Sequence, residues 1–210
     1  MSETQRVEQI YAAAARLFSR YGYHGTTIRQ MARELDLQGG SLYAHISAKE
    51  DVLWGIVDHA ANQFLAAVDP IAACDLAPAE KLRAALRAHI GVVTDNLDAA
   101  TVYFQDWKFL GDARRDAIRA KRDTYEGYFR QIIAEGIEAG AFRQVDEKFA
   151  ALLVLSVGNW LYQWYRPNGP LPPTAVADEF IAMILAGVSA EPDAVNPTYW
   201  RPTEVGASVP

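Results

Sequence analysis

Three side chains that can bind a phosphate or a base edge are crowded into one short segment. Ser41, Tyr43 and His45 alternate along residues 39–46, which begin with two glycines. A hydroxyl, a phenol and an imidazole can each form a hydrogen bond with a phosphate oxygen or with the edge of a base. Such a segment is typical of the recognition helix that a helix-turn-helix places in a DNA groove.

The residues before this segment predict the helices that would hold it. Thr27 and Gln30 have the spacing of a capping box, so a short helix is expected to begin near residue 28. Asp36 follows that helix and tolerates the left-handed backbone that a tight turn needs. Further upstream, apolar residues recur every three or four positions from 7 to 21, which predicts a long amphipathic helix.

The residues after the segment predict another helix. Ser47 and Glu50 have the spacing of a second capping box, so a long helix is expected to start at about residue 48. Its first turn carries Lys49 at the positive end of the helix dipole, where a lysine is unfavourable unless an anion lies beside it. This placement favours a phosphate contact by Lys49.

Two motifs extend over this region. The first is Ala14-Ala-Arg-Leu-Phe-Ser-Arg-Tyr-Gly-Tyr-His-Gly-Thr-Thr27, and the second is Gly40-Ser-Leu-Tyr-Ala-His-Ile-Ser-Ala-Lys-Glu50. With these motifs, residues 5–64 resemble the N-terminal DNA-binding domain of the TetR family of bacterial transcriptional regulators. The resemblance implies an all-α regulator that binds a double-stranded palindromic DNA operator as a homodimer.

The resemblance also implies which residues meet the DNA. Phosphate contacts are expected from Tyr43, His45 and Lys49, and Gly40 is expected to let the recognition helix approach the backbone closely. Gly39 stands where the family often has a basic residue, which leaves base reading to other side chains. The predicted DNA-binding residues are Thr27, Arg29, Gln38, Gly39, Gly40, Ser41, Tyr43, Ala44, His45 and Lys49.

Composition is consistent with a globular cytoplasmic protein. The 210 residues carry a net charge of −6, but residues 1–50 balance at +1, from six Lys or Arg against five Asp or Glu. The remaining residues therefore carry −7, so the acidity lies outside the predicted DNA-binding part. The one cysteine excludes a disulfide framework, and no apolar run is long enough to span a bilayer.

No group of residues indicates an enzyme. The sequence has neither a nucleophile with a paired base nor a phosphate-binding loop. Its four histidines, His24, His45, His59 and His89, do not have the spacing of metal ligands. We therefore expect no catalytic residue, no metal and no cofactor, and only a small-molecule effector.

Beyond residue 68 the sequence predicts a second helical domain. Asp69-Pro70 and residues 74–78 indicate a boundary, and helices are expected over about 78–97, 100–110, 113–139, 146–165 and 173–188. No strand is predicted, so the fold class is all-α. The expected division is a helix-turn-helix domain with a connector helix at 1–68, a ligand-binding and dimerisation domain at 69–190, and a tail at 191–210.

The helix predicted over residues 147–165 is apolar nearly all round. Such a helix must be buried on several sides, and in a chain of this size a second subunit can cover one of them. The resemblance implies the same arrangement, because TetR-like proteins dimerise through their last two helices, here about 147–165 and 173–188.

Aromatic residues on the middle helices predict an apolar effector pocket inside the bundle. The runs at 137–143 and 164–171 resemble those of the TetR subgroup that senses acyl-CoA thioesters. This resemblance implies a repressor that is released by an acyl-CoA from lipid, steroid-fragment or aromatic-acid catabolism. The predicted ligand-binding residues are Tyr103, Trp107, Arg122, Tyr125, Phe129, Trp160 and Trp164.

Two alternative functions remain open at this point. Regulators of drug efflux often hold a cationic drug against a buried carboxylate, and Asp106 or Glu126 could serve in that way. A helical interaction protein that does not bind DNA is the other alternative, because Gly39 lacks a side chain that commonly contacts DNA.

A basic cluster at the start of the predicted helix 113–139 has two interpretations. It is either a solvated surface that nearby aspartates balance, which we favour slightly, or a site for the phosphates of the ligand. The cluster consists of Arg114, Arg115, Arg119, Lys121 and Arg122, and the aspartates are Asp112, Asp116 and Asp123.

Overall fold

A computed structural model describes residues 3–37 and 42–188, with side chains from Gln5 onward. Within these residues every regular element is a helix, which confirms the predicted all-α fold. The helices are α1 (Glu3–Gly25), α2 (Ile28–Glu34), α3 (Lys49–Ala73), α4 (Pro78–Asp95), α5 (Leu97–Gln105), α6 (Asp112–Glu138), α7 (Glu147–Asn159), α8 (Leu161–Trp164) and α9 (Pro173–Val188). None of them is long and apolar enough to cross a membrane.

The N-terminal unit consists of α1, α2 and the start of α3. The capping box at the start of α2 is confirmed, since Gln30 N donates to the Thr27 hydroxyl at 3.2 Å and Thr27 N donates to the Gln30 side chain at 2.7 Å. Asp36 has a φ of 53°, the left-handed backbone expected at the turn. Leu42 and Ile46 are buried in the common core, so the chain after the turn is held to this unit.

The second predicted capping box does not form. Ala48, and not Ser47, is the N-cap of α3, and it makes no side-chain capping bond. The Glu50 carboxylate instead accepts hydrogen bonds from Gly111 N at 3.1 Å and from the Arg114 guanidinium at 3.3 Å. The capping prediction was wrong because Glu50 has a charged partner on another helix, and charge-assisted hydrogen bonds are the stronger ones.

Helix α3 continues beyond the expected boundary. Asp69 and Pro70 lie inside it, and it ends at Ala73 with Cys74 as the C-cap. The Cys74 thiol donates to Ile71 O at 2.9 Å. As one continuous helix, α3 belongs both to the N-terminal unit and to the bundle that follows, and the domain division at residue 68 stays a prediction.

The remaining helices form a bundle in which most predicted ends are confirmed. Pro78 is the first residue of α4, and the Asp146 carboxylate caps α7 by accepting from Phe149 N at 3.0 Å. Ala139 is the C-cap of α6, and Gly140, which was expected to end this helix, follows it with the left-handed φ of 68° that favours glycine. The helix expected over 100–110 is instead α5 followed by a 3₁₀ turn at Trp107–Phe109.

The helix expected over 146–165 is interrupted. Helix α7 ends at Asn159 and the short helix α8 follows from Leu161, with Trp160 between them. The amide of Trp160 bonds to the carbonyls of Ser156 and Gly158, which tightens the chain into a turn. The uninterrupted apolar sequence concealed this break, because apolar composition does not report where the backbone tightens.

Candidate DNA-binding surface and effector cavity

The predicted DNA-binding residues that the structure describes are exposed, with Lys49 as a partial exception. Tyr43 is 59% exposed although its neighbours Leu42 and Ile46 are buried, so its side chain is turned away from the core. The other exposed members are Thr27, Arg29, Ala44 and His45. The remaining predicted residues, Gln38, Gly39, Gly40 and Ser41, lie outside the described residues.

Lys49 is held against α1. Its ammonium group lies 4.2 Å from the centre of the Tyr23 ring and 5.9 Å from that of Phe18. Partial burial lowers the pKa of Lys49, and the negative charge of Asp106 acts in the opposite direction. Asp106 is itself buried, which raises the pKa of its carboxyl group. Lys49 is therefore packed against the aromatic rings of α1, and its predicted phosphate contact stays a prediction.

A cavity of about 160 Å³ lies among α3, α4, α5, α6 and α7, and we call it the inner cavity. Its most buried wall is aromatic. The Phe64 ring centre lies 5.1 Å from that of His89, 5.2 Å from that of Tyr103 and 5.6 Å from that of Tyr125. Because five helices contribute to the lining, the size and shape of this cavity depend on how the whole bundle is packed.

His89 places a neutral imidazole in this wall. Its Nδ1 lies 2.9 Å from the Tyr125 hydroxyl. Complete burial lowers the pKa of His89 to about 4, and the nearby Gly158 backbone acts in the opposite direction. Nε2 has no hydrogen-bond partner of good geometry among the described residues. A neutral ring has one N–H, so one nitrogen donates and the other accepts.

Arg122 brings a positive charge to the cavity. Its guanidinium carbon lies 5.3 Å from the centre of the Tyr103 ring and 5.1 Å from that of Trp107. Its Nη1 atom is buried and has no hydrogen-bond partner in the part of the chain that the structure describes. Burial raises the pKa of Tyr103, and both the charge of Arg122 and a hydrogen bond from the Arg122 side chain act in the opposite direction, so the unpartnered atom is Nη1 and not the whole guanidinium. A buried N–H without an acceptor is costly, so this site suits a ligand that supplies an oxygen atom.

An outer chamber of about 270 Å³ adjoins the inner cavity. Phe104 and Arg122 are among the residues that line both spaces, and Trp160 and Tyr162 line the outer one. The Tyr162 ring is stacked on Phe104 at a centre-to-centre distance of 5.5 Å. A ligand can therefore extend from the aromatic wall, past Arg122, to the surface.

The structure brings four of the predicted ligand-binding residues to these two spaces. Tyr103, Arg122 and Tyr125 line the inner cavity, and Trp160 lines the outer chamber.

The other three predicted residues line neither space. Phe129 is buried behind the Tyr125 ring at 5.5 Å, and Trp107 lies against Arg122. Trp164 lies on α8, with its ring 6.2 Å from that of Phe180 on α9. Helical spacing placed all these aromatic residues on the right helices but could not distinguish the layer that faces the cavity from the layer behind it.

Most residues that line the inner cavity were absent from the predicted ligand-binding set, and two of them belong to its buried aromatic wall. Phe64 and His89 fall on the apolar stripes of α3 and α4, and both were interpreted as core. A polar histidine within an otherwise apolar stripe was the signal that could have identified His89.

The basic cluster at the start of α6 is used mainly in ion pairs. Arg115 and Arg119 pair with Asp112 and Asp116 on the same helix, as the interpretation of a charge-balanced surface predicts. Only Arg122 of the cluster lines the inner cavity or the outer chamber.

The other two cations of the cluster bind α3, and we call these contacts the α3–α6 clamp. The Arg114 guanidinium lies 2.6 Å from the Asp51 carboxylate and 3.3 Å from that of Glu50. The Lys121 ammonium lies 2.5 Å from the Asp58 carboxylate. The clamp thus joins the first half of α6 to the first turns of α3, and both helices also line the inner cavity.

One face of α7 and α9 is apolar and exposed in the single chain. Phe149 is 73% exposed, Leu153 57% and Met183 61%. These residues line a groove of about 500 Å³ between the two helices. Trp160 and Trp164, which follow α7 in the chain, are further exposed apolar side chains. We refer to these five residues as the apolar face.

An N-terminal unit of helices joined to a helical bundle with a cavity is the architecture expected of a DNA-binding regulator that responds to a ligand. Comparison with known families gives the same class. Residues 10–54 match the tetR family of bacterial regulatory proteins, and residues 75–188 match the tetracyclin repressor-like C-terminal domain. The chain therefore belongs to the TetR family of transcriptional regulators, whose members are not enzymes, and the predicted resemblance is confirmed.

Several relatives resemble the chain over most of its length. The TetR family transcriptional regulator PfmR from Thermus thermophilus is 34% identical, with a TM-score of 0.79 over 84% of this chain and 96% of that one. AibR in complex with isovaleryl coenzyme A and operator DNA is 28% identical, with a TM-score of 0.77 over 85% and 97%. The transcriptional repressor KstR2 of Mycobacterium tuberculosis is 26% identical over 87% of this chain and 92% of its own.

Proposed function

We propose that this protein is a repressor that an acyl-CoA thioester releases from its operator. The observation that carries the proposal is the inner cavity, where aromatic side chains surround Arg122 and its buried Nη1 lacks an acceptor among the described residues. The carbonyl oxygen of a thioester would supply that acceptor, and the rings would enclose the acyl group. AibR, whose structure contains isovaleryl coenzyme A and operator DNA, supports the same ligand class.

The proposed DNA contacts follow the predicted set. Tyr43, His45 and Lys49 would contact phosphates, and the exposure of Tyr43 supports its part in this. Base reading would come from Gln38, Ser41 and Ala44, with Thr27 or Arg29 at the start of α2. We propose 1–68 as the DNA-binding domain and 69–190 as the effector and dimerisation domain.

The apolar face is proposed as the homodimer interface. A contiguous exposed patch of large apolar side chains is unusual on a monomer and marks an association site. In a two-fold dimer α7 and α9 of one protomer would cover the same helices of its partner and form a four-helix interface. Two recognition helices would then read operator half-sites about one helical turn apart.

Repression would be relieved by a change in the spacing of the two DNA-binding units. An acyl-CoA that binds better to the arrangement unable to fit the duplex would shift the population towards it. By linkage, operator DNA must weaken acyl-CoA binding by the same factor. This reciprocity can be measured without any knowledge of the physiological ligand.

The experiment is a mobility-shift titration of the full chain with its upstream intergenic DNA at two salt concentrations, with and without acyl-CoA thioesters. We expect salt-dependent, sequence-selective binding that one or more thioesters abolish. Selective binding that no thioester changes would refute the acyl-CoA effector. Failure to bind any DNA selectively would instead favour a helical interaction protein.

A pair of variants assigns the effect to the cavity. Arg122→Gln removes the charge that meets the ligand and should weaken the response to the thioester at least tenfold while operator binding is kept. Arg130→Gln makes the same change at an exposed position of α6 that does not line the cavity, and it should respond as the wild type does. If both variants responded equally to the thioester, Arg122 would not be a ligand-binding residue.

A drug-responsive repressor is the second candidate. Glu126 lines the inner cavity together with Asp123, and a carboxylate there could pair with a lipophilic cation. Asp106, the other residue considered for this role, lies near Tyr23, Lys49 and Lys108 and does not line the cavity. The same titration with lipophilic cations in place of thioesters distinguishes the two ligand classes.

A further inference from the structure

We infer that the inner cavity selects an acyl group no larger than about one six-membered ring, such as a short branched acyl or a benzoyl group. This inference rests on the proposed function, because it specifies which acyl groups the proposed site would take. It excludes long-chain fatty acyl groups and fused-ring acids as the best ligands.

The volume of the cavity sets the limit. The inner cavity has about 160 Å³, and polar side chains such as Arg122 and Glu126 line it together with the aromatic ones. In size it resembles an apolar cavity of about 150 Å³ in another protein, which binds benzene. A group of about six heavy atoms therefore fills the space. A longer chain must either remain in the outer chamber, where its apolar surface stays partly in water, or force the wall apart.

The aromatic wall resists such widening. Phe64 and His89 are 2% and 1% exposed, and Phe129 is packed behind the wall, with its ring 5.5 Å from that of Tyr125. The hydrogen bond between His89 Nδ1 and the Tyr125 hydroxyl fixes two of these rings relative to each other. Protein interiors are close-packed, so extending the cavity in this direction would require several core side chains to move together.

Helix α7 lines the cavity with Leu152 and Leu155 as well as with polar side chains, and its leucines offer a place to test the limit. Leu155 on α7 lines the cavity and is nearly buried. Shortening this side chain to alanine would lengthen the space available to an acyl group without altering Arg122 or the aromatic wall.

Arg122 lies at one end of the site, and Phe64 and His89 lie at the other. Arg122 lines both the inner cavity and the outer chamber, so it marks the point where the acyl carbonyl would lie. From this point the acyl group would extend only as far as Phe64 and His89. The distance from Arg122 to Phe64 and His89 therefore limits the length of acyl chain that fits. The experiment accordingly varies the length of the acyl chain.

The experiment is a calorimetric titration of the wild-type full chain with isovaleryl-, benzoyl-, octanoyl- and palmitoyl-CoA and with the free acids of the first two. We expect isovaleryl- or benzoyl-CoA to bind at least tenfold more tightly than octanoyl- and palmitoyl-CoA. The free acids show whether the CoA part contributes, since they carry the same acyl groups without it.

Two leucine variants test the cause of the selectivity. Leu155→Ala should change the ratio of octanoyl- to isovaleryl-CoA affinity by at least tenfold in favour of the longer chain, because one methylene group is worth about 10- to 200-fold in an apolar pocket. Leu86→Ala removes the same atoms from a fully buried position that does not line the cavity, and it should leave the ratio unchanged.

The outcomes separate this inference from the proposed function. Tightest binding of octanoyl- or palmitoyl-CoA to the wild type would overturn the size limit and leave the acyl-CoA repressor intact. An equal change of the ratio in both leucine variants would overturn the assignment of selectivity to the inner cavity. If no thioester binds at all, the proposed effector class and the size limit both fail.

Discussion

At the scale of single residues, the contact between Gly158 and His89 determines how closely α7 approaches the inner cavity. A Cβ atom placed on Gly158 would overlap the His89 ring, and a helical glycine is otherwise unfavourable. The glycine is therefore explained by packing. Sequence alone could not show this, because Gly158 and His89 lie on different helices and nothing in either local pattern relates them.

Gly158→Ala should destabilise the fold by about 1–3 kcal/mol, because overpacking a close-packed site forces neighbouring groups to shift. It should also weaken effector binding, since the displaced ring belongs to the cavity wall. Chemical denaturation measures the first effect and calorimetry the second. The control is Gly91→Ala, whose new Cβ would meet no atom within 4 Å and which should be neutral or slightly stabilising. Equal destabilisation by both changes would contradict the packing explanation.

His89 should make the stability of the fold depend on pH. Its folded-state pKa of about 4 lies below the ordinary value of 6.5, so between these values the unfolded chain binds the proton and the folded chain does not. The stabilising contribution is complete above pH 6.5 and is lost as the pH falls towards 4. When the pH is lowered from 7 to 5, the titration of His89 should reduce the free energy of unfolding by about 2 kcal/mol.

The measurement is denaturant unfolding of the wild type and His89→Gln at pH 7 and at pH 5. The variant should lose less stability than the wild type over this interval. His59→Gln changes an exposed histidine and should lose as much as the wild type. A His89 variant with the full pH dependence of the wild type would show that this group does not titrate as inferred.

At the scale of elements, local sequence determined most helix ends and long-range pairing determined the exceptions. The Thr27–Gln30 capping box and the left-handed Gly140 after α6 were predictable because all their partners lie within a few residues. Glu50 was assigned to a local capping box, but it binds Arg114, which is distant in sequence. A local sequence pattern cannot predict an ion pair between residues on different helices. The α3–α6 clamp was therefore seen only in the folded structure.

Arg114→Met should weaken operator binding two- to fivefold and reduce the preference for one half-site spacing, because it releases the start of α3 from α6. The two ion pairs of Arg114 are partly exposed and worth about 0.5 kcal/mol each, so together about 1 kcal/mol, which limits the effect to this range. The spacing preference is measured as the affinity for operators whose half-site spacer is one base pair longer or shorter. Arg115→Met breaks a pair within α6 and is the matched control. An unchanged spacing preference for Arg114→Met would show that the clamp does not position α3.

At the scale of the whole molecule, a single chain leaves the apolar face uncovered. The sequence predicted that α7 would be buried on several sides, and in the single chain one of those sides remains exposed. The proposed dimer accounts for this surface. It would also place the outer chamber close to the partner, because Trp160 belongs both to that chamber and to the apolar face.

Leu153→Glu should convert the dimer into a monomer and weaken operator binding more than tenfold, because it would bury an unpaired charge at the interface. Light scattering after size-exclusion chromatography measures the mass, and a mobility shift measures the affinity. Leu76→Glu makes the same change at an exposed leucine between α3 and α4 and should remain dimeric. A dimeric Leu153→Glu variant would place the interface elsewhere.

The continuity of α3 has a mechanical consequence. Phe64, in the wall of the inner cavity, and Lys49, at the first turn beside the recognition segment, belong to the same helix. At a rise of about 1.5 Å per residue the two are about 22 Å apart along the helix axis. A rigid rod of that length multiplies a small rotation: a tilt of about 5° at the cavity end displaces the other end by about 2 Å. Under the proposed function, a ligand that displaced the Phe64 ring and tilted the helix by this angle would move the Lys49 end by most of the length of a hydrogen bond.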